Sequence, residues 1–227
     1  MATTMALDVY GTLIDTHGVV QALTAHLGDQ ARAFSTLWRA KQLEYSFRRG
    51  LMRDYRPFEA CTREALAYSC SAFKLALGEA GMEALLAAYR TLPAFPDAKA
   101  GLARAKEAGF RLFAFSNGTA EAVDQVLVHA GIRDFFLDVV SVDEVRSFKP
   151  DPAVYAHFLR RAEVPGSQAW MVSSNPFDVL GALGAGMRSA WIRRAPEALF
   201  DPWGPAPTMT LPDLSVLGER VARFLGE

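Results

Sequence analysis

The sequence predicts an α/β fold in which a helical subdomain is inserted after the first strand of a parallel sheet. Three segments, residues 106–116, 128–141 and 181–192, share one order: a helical stretch, a glycine and an apolar β-rich run. A glycine at that place supplies the left-handed residue that ends a helix, and an uninterrupted apolar run is typical of a strand buried on both faces. In contrast, the stretch 15–93 has helical periodicity and no strand pattern.

The helical stretch is predicted from the spacing of its apolar side chains. Phe34, Leu37 and Trp38 recur at helical intervals. We expect that helix to end at Gly50, because two arginines before it suit the negative end of a helix.

Two further apolar runs, residues 4–9 and 168–172, complete the predicted sheet, and each ends in small polar residues that open a loop. Pro93 marks the return of the chain from the helical stretch to the sheet, and residues 195–207 form a proline-rich loop. The sequence therefore predicts two units, which are a core of residues 1–14 and 94–227 and a helical cap of residues 15–93.

Composition restricts the function. The chain has 227 residues, of which 51% are hydrophobic and 22% charged, with a net charge of −1. This apolar fraction excludes a disordered chain, and the scattered Lys and Arg residues give no basic face for a nucleic acid. Charges interrupt every apolar stretch before the ~18 residues of a membrane span, and the N-terminus does not resemble a secretion signal, so we expect a cytoplasmic protein without a membrane partner. Cys61 and Cys70 are expected to be buried, reduced thiols.

Open parallel sheets bind ligands beyond the carboxyl ends of their strands, so the polar residues that follow each predicted strand are the candidates. The first such loop is DVYGTL, in which Asp8 ends the strand and Thr12 follows a glycine turn. An aspartate fixed at a strand tip suits a carboxylate nucleophile. Taken alone, the motif is better explained by an aspartate that caps a turn.

Three further loops carry polar clusters. SNGTAE contains Ser116 and Asn117 before a predicted helix, where exposed amides and hydroxyls can bind an anion. SFKPDPAVY contains Lys149, and SSNPFD ends at Asp178. Each has a plainer explanation, because Asn117 or Thr119, and Asn175 or Ser174, can cap helices and a lysine before a proline is usually a solvated surface residue.

In this order, the four loops resemble the motifs of the haloacid dehalogenase superfamily, and more closely those of the L-2-haloacid dehalogenases. The motifs are DVYGTL with Asp8, WRAKQLEY with Arg39, FSNG, KPDPAVY with Lys149 and Tyr155, and SSNPFD with Asp178. The resemblance covers nearly the whole chain. It implies a Rossmann-like parallel sheet core of the HAD type with an inserted helical cap, usually as a homodimer.

Two positions favour a dehalogenase over the phosphatases of the superfamily. Those phosphatases carry a second aspartate two residues after the nucleophile and hold magnesium with an aspartate four residues before the last acid. This chain has Tyr10 and Ser174 there, and magnesium prefers hard oxygen ligands. A halide leaves as a stable anion without protonation or a metal, so we predict neither a metal nor another cofactor. The four histidines are dispersed, so no zinc site is predicted.

The resemblance also implies a mechanism. Asp8 would displace halide from C2 of a short (S)-2-haloacid to form an aspartyl ester, and water activated by Asp178 would hydrolyse that ester to the (R)-2-hydroxyacid. Lys149 would offset the charge of both carboxylates, and Arg39 would receive the halide. The other catalytic residues implied are Thr12, which would steady Asp8; Tyr155, which would support Lys149; and Ser173 and Asn175, which would order the water. The residues implied for substrate binding are Val9, Tyr10, Leu43, Phe58, Ser116, Asn117 and Phe177.

Three alternatives stay open at the level of sequence: a metal-independent hydrolase of another small 2-substituted acid, a magnesium-dependent phosphatase of the superfamily, and a catalytically idle member. Arg39 alone is better explained as a surface residue of a helix, and Tyr10 and Phe177 could be core aromatics. Close relatives often have Trp at the position of Phe177 and Gln at that of Ala40, so we expect a pocket that differs from theirs.

Overall fold

The computed structural model describes residues 3–226 and places a six-stranded parallel sheet at their centre. The strands are β1 (Thr4–Asp8), β2 (Arg111–Ser116), β3 (Asp138–Ser141), β4 (Ala169–Ser173), β5 (Arg188–Ile192) and β6 (Met209–Leu211). Their order is β3-β2-β1-β4-β5-β6, and every neighbouring pair is parallel. The order reverses at β1, which is where open α/β sheets bind ligands. The predicted α/β class is confirmed.

Helices cover the sheet and fill the long connection between its first two strands. Between β1 and β2 lie α1 (Val20–Leu27), α2 (Ala31–Met52), α3 (Phe58–Ala72), α4 (Gly78–Arg90) and α5 (Ala98–Glu107). The later helices are α6 (Ala120–His129), α7 (Pro152–Arg161), α8 (Pro176–Gly184) and α9 (Leu217–Leu225). Met5 and Leu7 of β1 pack into the core on one face of the sheet and Ala6 packs on the other, as the alternation of a strand requires. None of the helices within residues 3–226 is long and apolar enough to cross a membrane.

The glycines predicted to end helices do so. Gly109, Gly131 and Gly186 have φ angles of 81°, 66° and 78°, in the left-handed region that favours glycine. After Gly131 a 3₁₀ turn of residues 133–135 intervenes, so β3 begins only at Asp138. The strand β6, which follows the proline-rich loop, was not predicted, because a run of three residues is too short for its alternation to stand out.

The predicted end of the long cap helix is wrong. α2 continues through Gly50 to Met52, and Arg53, with a φ of 55°, is the left-handed residue that ends it. Gly50 instead lies against Ser147 and Phe148 of the sheet domain, where a Cβ would approach their side chains at 4.0 and 3.9 Å. These are ordinary van der Waals distances, so a larger side chain is not excluded at this position by the contact, and Gly50 does not end the helix.

The two ends of the helical insertion lie side by side. The amide of Asp15 donates to the carbonyl of Pro93 at 2.9 Å, and that of Phe95 donates to Leu13 at 2.9 Å. This pairing is consistent with the predicted boundaries between core and cap, at residues 14–15 and 93–94. The division into these two units stays a prediction. Within the insertion, Cys61 and Cys70 of α3 are buried free thiols, and burial raises the pKa of Cys61 to about 11.

Candidate active site

Asp8 ends β1 at the carboxyl edge of the sheet and is 6% exposed. Its two carboxylate oxygens have different surroundings. Oδ2 accepts three hydrogen bonds, from Thr12 Oγ1 at 2.7 Å, Asn175 Nδ2 at 2.8 Å and Ser173 Oγ at 3.3 Å. Oδ1 accepts from the ammonium of Lys149 at 3.2 Å. Oδ2 is thus held by neutral donors, while Oδ1 faces the positive charge.

Lys149 lies between the two buried carboxylates of the site. Its side chain is 1% exposed, and Nζ donates to Asp8 Oδ1 at 3.2 Å, Asp178 Oδ2 at 2.8 Å and the Phe115 carbonyl at 2.8 Å. An ammonium group has three donors, so these contacts use all of them. The backbone amide of Lys149 donates to Asn117 Oδ1 at 2.9 Å, which ties the lysine loop to the loop after β2. The alternative of a solvated surface lysine is excluded.

Asp178 lies in the first turn of α8 and is fully buried. Burial raises its pKa to about 6, and the charge of Asp8 acts in the same direction, whereas Lys149 and the Tyr155 hydroxyl oppose the rise. Tyr155 donates to Asp178 Oδ1 at 2.9 Å and to its carbonyl at 3.2 Å. Burial also raises the pKa of Tyr155, so the phenol stays protonated and remains a donor. A carboxyl with a pKa near 6 is ionised at neutral pH and can still accept a proton.

The loop after β4 holds Asp8 from the side of the neighbouring strand. Asn175 occupies the cap position of α8, yet its side chain makes no capping hydrogen bond and donates to Asp8 instead. The amide of Asn175 donates to Ser173 Oγ at 3.1 Å, and the amide of Ser174 donates to Thr12 Oγ1 at 2.8 Å. Ser173 and Asn175, expected to order a water molecule, therefore bond directly to the carboxylate.

The predicted substrate residues, with one exception, line a common cavity of about 10 Å³ above Asp8, room for about one water molecule. Its lining residues are Asp8, Tyr10, Arg39, Leu43, Phe58, Ser116, Asn117, Lys149, Asn175 and Phe177. We call this space the reaction cavity. The exception is Val9, whose side chain is fully buried in the hydrophobic core and whose carbonyl accepts from the amides of Leu13 and Ile14. The side chain of Val9 packs in the same core as those of Met5 and Leu7, so only its backbone can face the cavity, and the predicted substrate contact of Val9 stays a prediction.

Arg39 reaches this cavity from α2. Its guanidinium donates to the Tyr10 carbonyl at 3.2 Å and to Gln42 Oε1 at 2.6 Å. Gln42 is fully buried; its Oε1 also accepts from the Tyr89 hydroxyl at 3.2 Å, and its Nε2 donates to Thr62 Oγ1 at 2.5 Å. Buried polar groups linked in this way hold one another in fixed positions. Arg39 is consequently a fixed part of the cavity wall.

The loop after β2 contributes Ser116 and Asn117 to the cavity wall. Ser116 is 1% exposed and Asn117 is 8% exposed. Ser116 Oγ accepts from the amide of Gly118 at 3.1 Å. Thr119, and not Asn117, caps α6, by accepting from the amide of Ala122 at 3.4 Å. The capping alternative for Asn117 is thereby excluded.

Sequence reasoning missed four groups that shape the site. Gln42, Thr62 and Tyr89 fix Arg39, and Gly181 in α8 leaves space for the phenol of Tyr155, since a Cβ there would lie 2.4 Å from that oxygen. One signal was available for Gln42: it stands four residues after Trp38, on the buried face of the same helix. The role of Gly181 depends on a tertiary contact that no local pattern records.

The position that carries the metal-binding acid in the phosphatases is Ser174. Its hydroxyl donates to the Gly11 carbonyl at 2.7 Å. Across residues 3–226, no three His, Cys, Asp or Glu side chains are grouped so as to hold a metal ion. The space between Asp8 and Asp178 contains the Lys149 ammonium, and a divalent cation placed there would be repelled by it.

The site has an aspartate at the tip of the central strand, a second aspartate linked to it through a buried lysine, and a cover of inserted helices. This is the aspartate-based hydrolase site on a parallel sheet that the motifs predict. The chain belongs to the haloacid dehalogenase-like hydrolases, whose family model matches residues 2–186. The resemblance noted in the sequence is confirmed.

Relatives and solved structures similar to this chain match it over almost its full length. An (S)-2-haloacid dehalogenase, H-109, from Pseudomonas putida is 38% identical over 95% of this chain and 96% of the relative. A haloacetate dehalogenase, H-2, from Moraxella sp. (strain B) is 36% identical over 96% of this chain and 97% of the relative. The solved structure of L-2-haloacid dehalogenase from Xanthobacter autotrophicus with chloropropionic acid covalently bound has a TM-score of 0.91 at 32% identity, covering 97% of this chain and 98% of that one.

Proposed function

We propose that the protein hydrolyses short (S)-2-haloacids to (R)-2-hydroxyacids and halide through an ester of Asp8. The observation that carries the proposal is the Lys149 ammonium placed between two buried carboxylates, Asp8 and Asp178. One carboxylate can then act as nucleophile while the other acts as base. The names of the curated relatives and the covalently bound chloropropionic acid of the Xanthobacter enzyme agree with this chemistry.

In the first step Asp8 Oδ1 attacks C2, the C–O bond forms, and the halide leaves with the electrons of the broken bond. Oδ1 is the better nucleophile because three donors already occupy Oδ2. Two unit charges about 4–5 Å apart repel by roughly 3–4 kcal/mol at an effective dielectric of about 20, equivalent to a few hundredfold in rate. Lys149 offsets this repulsion between Asp8 and the substrate carboxylate, and Arg39 receives the departing halide.

The substrate carboxylate binds the loop after β2. Asn117 uses Oδ1 to accept from Lys149, so its Nδ2 is the atom offered to an anion. The Ser116 hydroxyl, which accepts from Gly118, donates its hydrogen to the same carboxylate. With the halide toward Arg39 and the alkyl group against Leu43, three directions at C2 are fixed, as recognition of one enantiomer requires.

In the second step Asp178 removes a proton from water as the oxygen attacks Cγ of the Asp8 ester. The negative charge develops on Oδ2, where Thr12, Ser173 and Asn175 form an oxyanion site. The ester bond breaks at Cγ, and the departing alkoxide takes the proton from Asp178. Asp8 then loses its own proton to solvent. C2 is inverted once, in the first step, so an (S) substrate gives an (R) product.

The alternatives predict different products. A magnesium-dependent phosphatase is disfavoured by Tyr10, Ser174 and the Lys149 ammonium between the acids. A hydrolase of other 2-substituted acids would share the ester but release no halide, and an idle family member would bind small acids without turnover.

One assay separates these functions. Halide release is measured with both enantiomers of 2-chloropropionate, beside phosphate release from p-nitrophenyl phosphate with and without magnesium. We expect chloride and (R)-lactate from the (S) acid and no phosphate. Phosphate release that requires magnesium, or the absence of chloride from both enantiomers, would contradict the proposal.

A second experiment tests the ester. In a single turnover of the wild type in ¹⁸O-water, the label should enter Asp8 before it enters any product, and Asp8→Asn should be inactive but folded. Label found directly in the hydroxyacid after one turnover would mean that water attacks C2. Retention of configuration at C2 would exclude a single displacement.

We further propose that the enzyme is a cytoplasmic homodimer. At the end of α2, Leu51 is 87% exposed and Met52 72% exposed, and adjacent exposed apolar side chains favour an interface. Sedimentation velocity should give the mass of a dimer, and Leu51→Asp should lower it to that of a monomer. A monomeric wild type would contradict the proposed dimer. Recovery of the enzyme outside the cytoplasmic fraction of its cell would contradict the proposed location.

A further inference from the structure

A second cavity adjoins the reaction cavity. Its volume is about 240 Å³, against about 10 Å³ for the reaction cavity. Tyr10 and Phe58 line both spaces, so these two aromatic rings are the common wall. We call the larger space the side cavity. It lies between α3 and α4 of the insertion and the start of α6 of the sheet domain.

Four other lining residues of the reaction cavity are held in place by their neighbours. Lys149 and Asn117 are buried and hydrogen-bonded to their neighbours. Arg39 is fixed by Gln42, and the ring of Phe177 packs edge-on against Phe47 at 5.0 Å between centroids. Tyr10 and Phe58 are the lining residues beyond which a second cavity lies, so a substituent longer than methyl on C2 finds room on their side.

The side cavity suits an apolar chain. Carbon atoms of Ala60, Leu86, Ala122 and the ring of Tyr89 form much of its remaining lining. The charged groups around it have partners of their own or are exposed. Arg63 pairs with Glu83 at 2.5 Å, Glu59 accepts from Thr119 at 3.3 Å, and Arg90 is exposed.

We propose that the side cavity is a chain-length subsite, in which the alkyl group of a medium-chain 2-haloacid lies once its C2 is at Asp8. The proposal rests on the proposed function and extends its substrate class from 2-halopropionates to 2-halobutyrates through 2-halohexanoates. Each buried methylene contributes enough transfer free energy for about a fourfold gain in binding, so three added methylenes give at most about 60-fold.

The test measures kcat/KM for bromide release from (S)-2-bromopropionate and (S)-2-bromohexanoate, and compares the hexanoate-to-propionate ratio among variants. The ratio cancels effects that are common to both substrates. Ala60→Phe fills the side cavity from α3 and Ala122→Phe fills it from α6. Ala67→Phe is the matched control, because Ala67 is an exposed residue of α3 that does not line the cavity. Circular dichroism checks that each variant is folded.

We expect a wild-type ratio of at least one, a loss of about tenfold or more in each filling variant, and no change in Ala67→Phe. Because the two filling substitutions lie on different helices, one remains informative if the other does not fold. A wild type that releases bromide from the propionate but not from the hexanoate would overturn the subsite and leave the proposed function intact, as would an unchanged ratio in the filling variants. No bromide from either substrate would instead refute the proposed function.

Discussion

Replacing Tyr155 with phenylalanine isolates one contact of the second carboxylate. The phenol donates to Asp178 Oδ1 at 2.9 Å, and its ring packs against Phe115 at 5.8 Å between centroids. Tyr155→Phe keeps the ring and removes the donor. Because this hydrogen bond favours the ionised carboxylate, its loss raises the pKa of Asp178 further above its ordinary value.

The structure gives the size of the effect. Asp178 has a pKa of about 6 in the free enzyme, where the charge of Asp8 contributes to the rise. Esterified Asp8 is uncharged, so about 6 is the upper bound for the ester-hydrolysis step. A hydrogen bond to a charged group contributes about 1.5–3 kcal/mol, which corresponds to a pKa change of roughly 1–2 units. Only ionised Asp178 can take a proton from water, so in Tyr155→Phe the acid limb should move up by roughly 1–2 pH units and ester hydrolysis at pH 7 should slow by at most about tenfold.

The assay is the rate of ester hydrolysis against pH, measured on the trapped intermediate by rapid quench and mass spectrometry. The acid limb should move to higher pH in Tyr155→Phe. Tyr55→Phe is the matched control, because Tyr55 also donates to an aspartate, Asp143 at 2.5 Å, outside the reaction cavity; it should leave the limb in place. If the acid limb of Tyr155→Phe lies at the same pH as that of the wild type, whatever the change in rate, Tyr155 does not lower the pKa of Asp178 and its assigned electrostatic role is refuted.

Three further predictions concern other parts of the site. Gly181→Ala places a Cβ 2.4 Å from the Tyr155 oxygen, so it should cost about 1–3 kcal/mol in the free energy of unfolding by denaturant and move the acid limb as Tyr155→Phe does; unchanged stability would contradict the close contact. Gln42→Leu removes one of the two acceptors of Arg39 and leaves the Tyr10 carbonyl, so rapid quench should reveal slower ester formation with ester hydrolysis nearly unchanged, and equal losses in both steps would argue against halide binding by Arg39. Because Lys149 occupies the space between the acids, halide release should survive EDTA, and a loss that magnesium restores would contradict this.

The contribution of the sequence is clearest where a few adjacent residues decide the outcome. Gly109 ends a helix because its φ of 81° lies in the left-handed region, which is strained for residues with a side chain. Asp151 accepts from the amide of Ala153 at 2.8 Å and caps α7, and Pro152 fits the first turn. Asp8 at the end of a buried run was recognisable as a strand-tip acid for the same reason. These features depend on local backbone preference and on burial of an apolar run, which the order of residues expresses directly.

Elements of the site that depend on packing between distant segments were decided by the tertiary structure. The sheet order sets β1 between β2 and β4, and so brings the loops of Asp8, Ser116 and Ser173 together. Lys149 bonds to Asp8 across 141 positions of the chain, a pairing that no local pattern contains. Gln42, which accepts from Arg39 on the same helix, is itself held by Thr62 because α2 packs on α3. Residue order fixed which groups could react; the three-dimensional packing determined which of them share one buried, weakly screened space, where their charges act on each other most strongly.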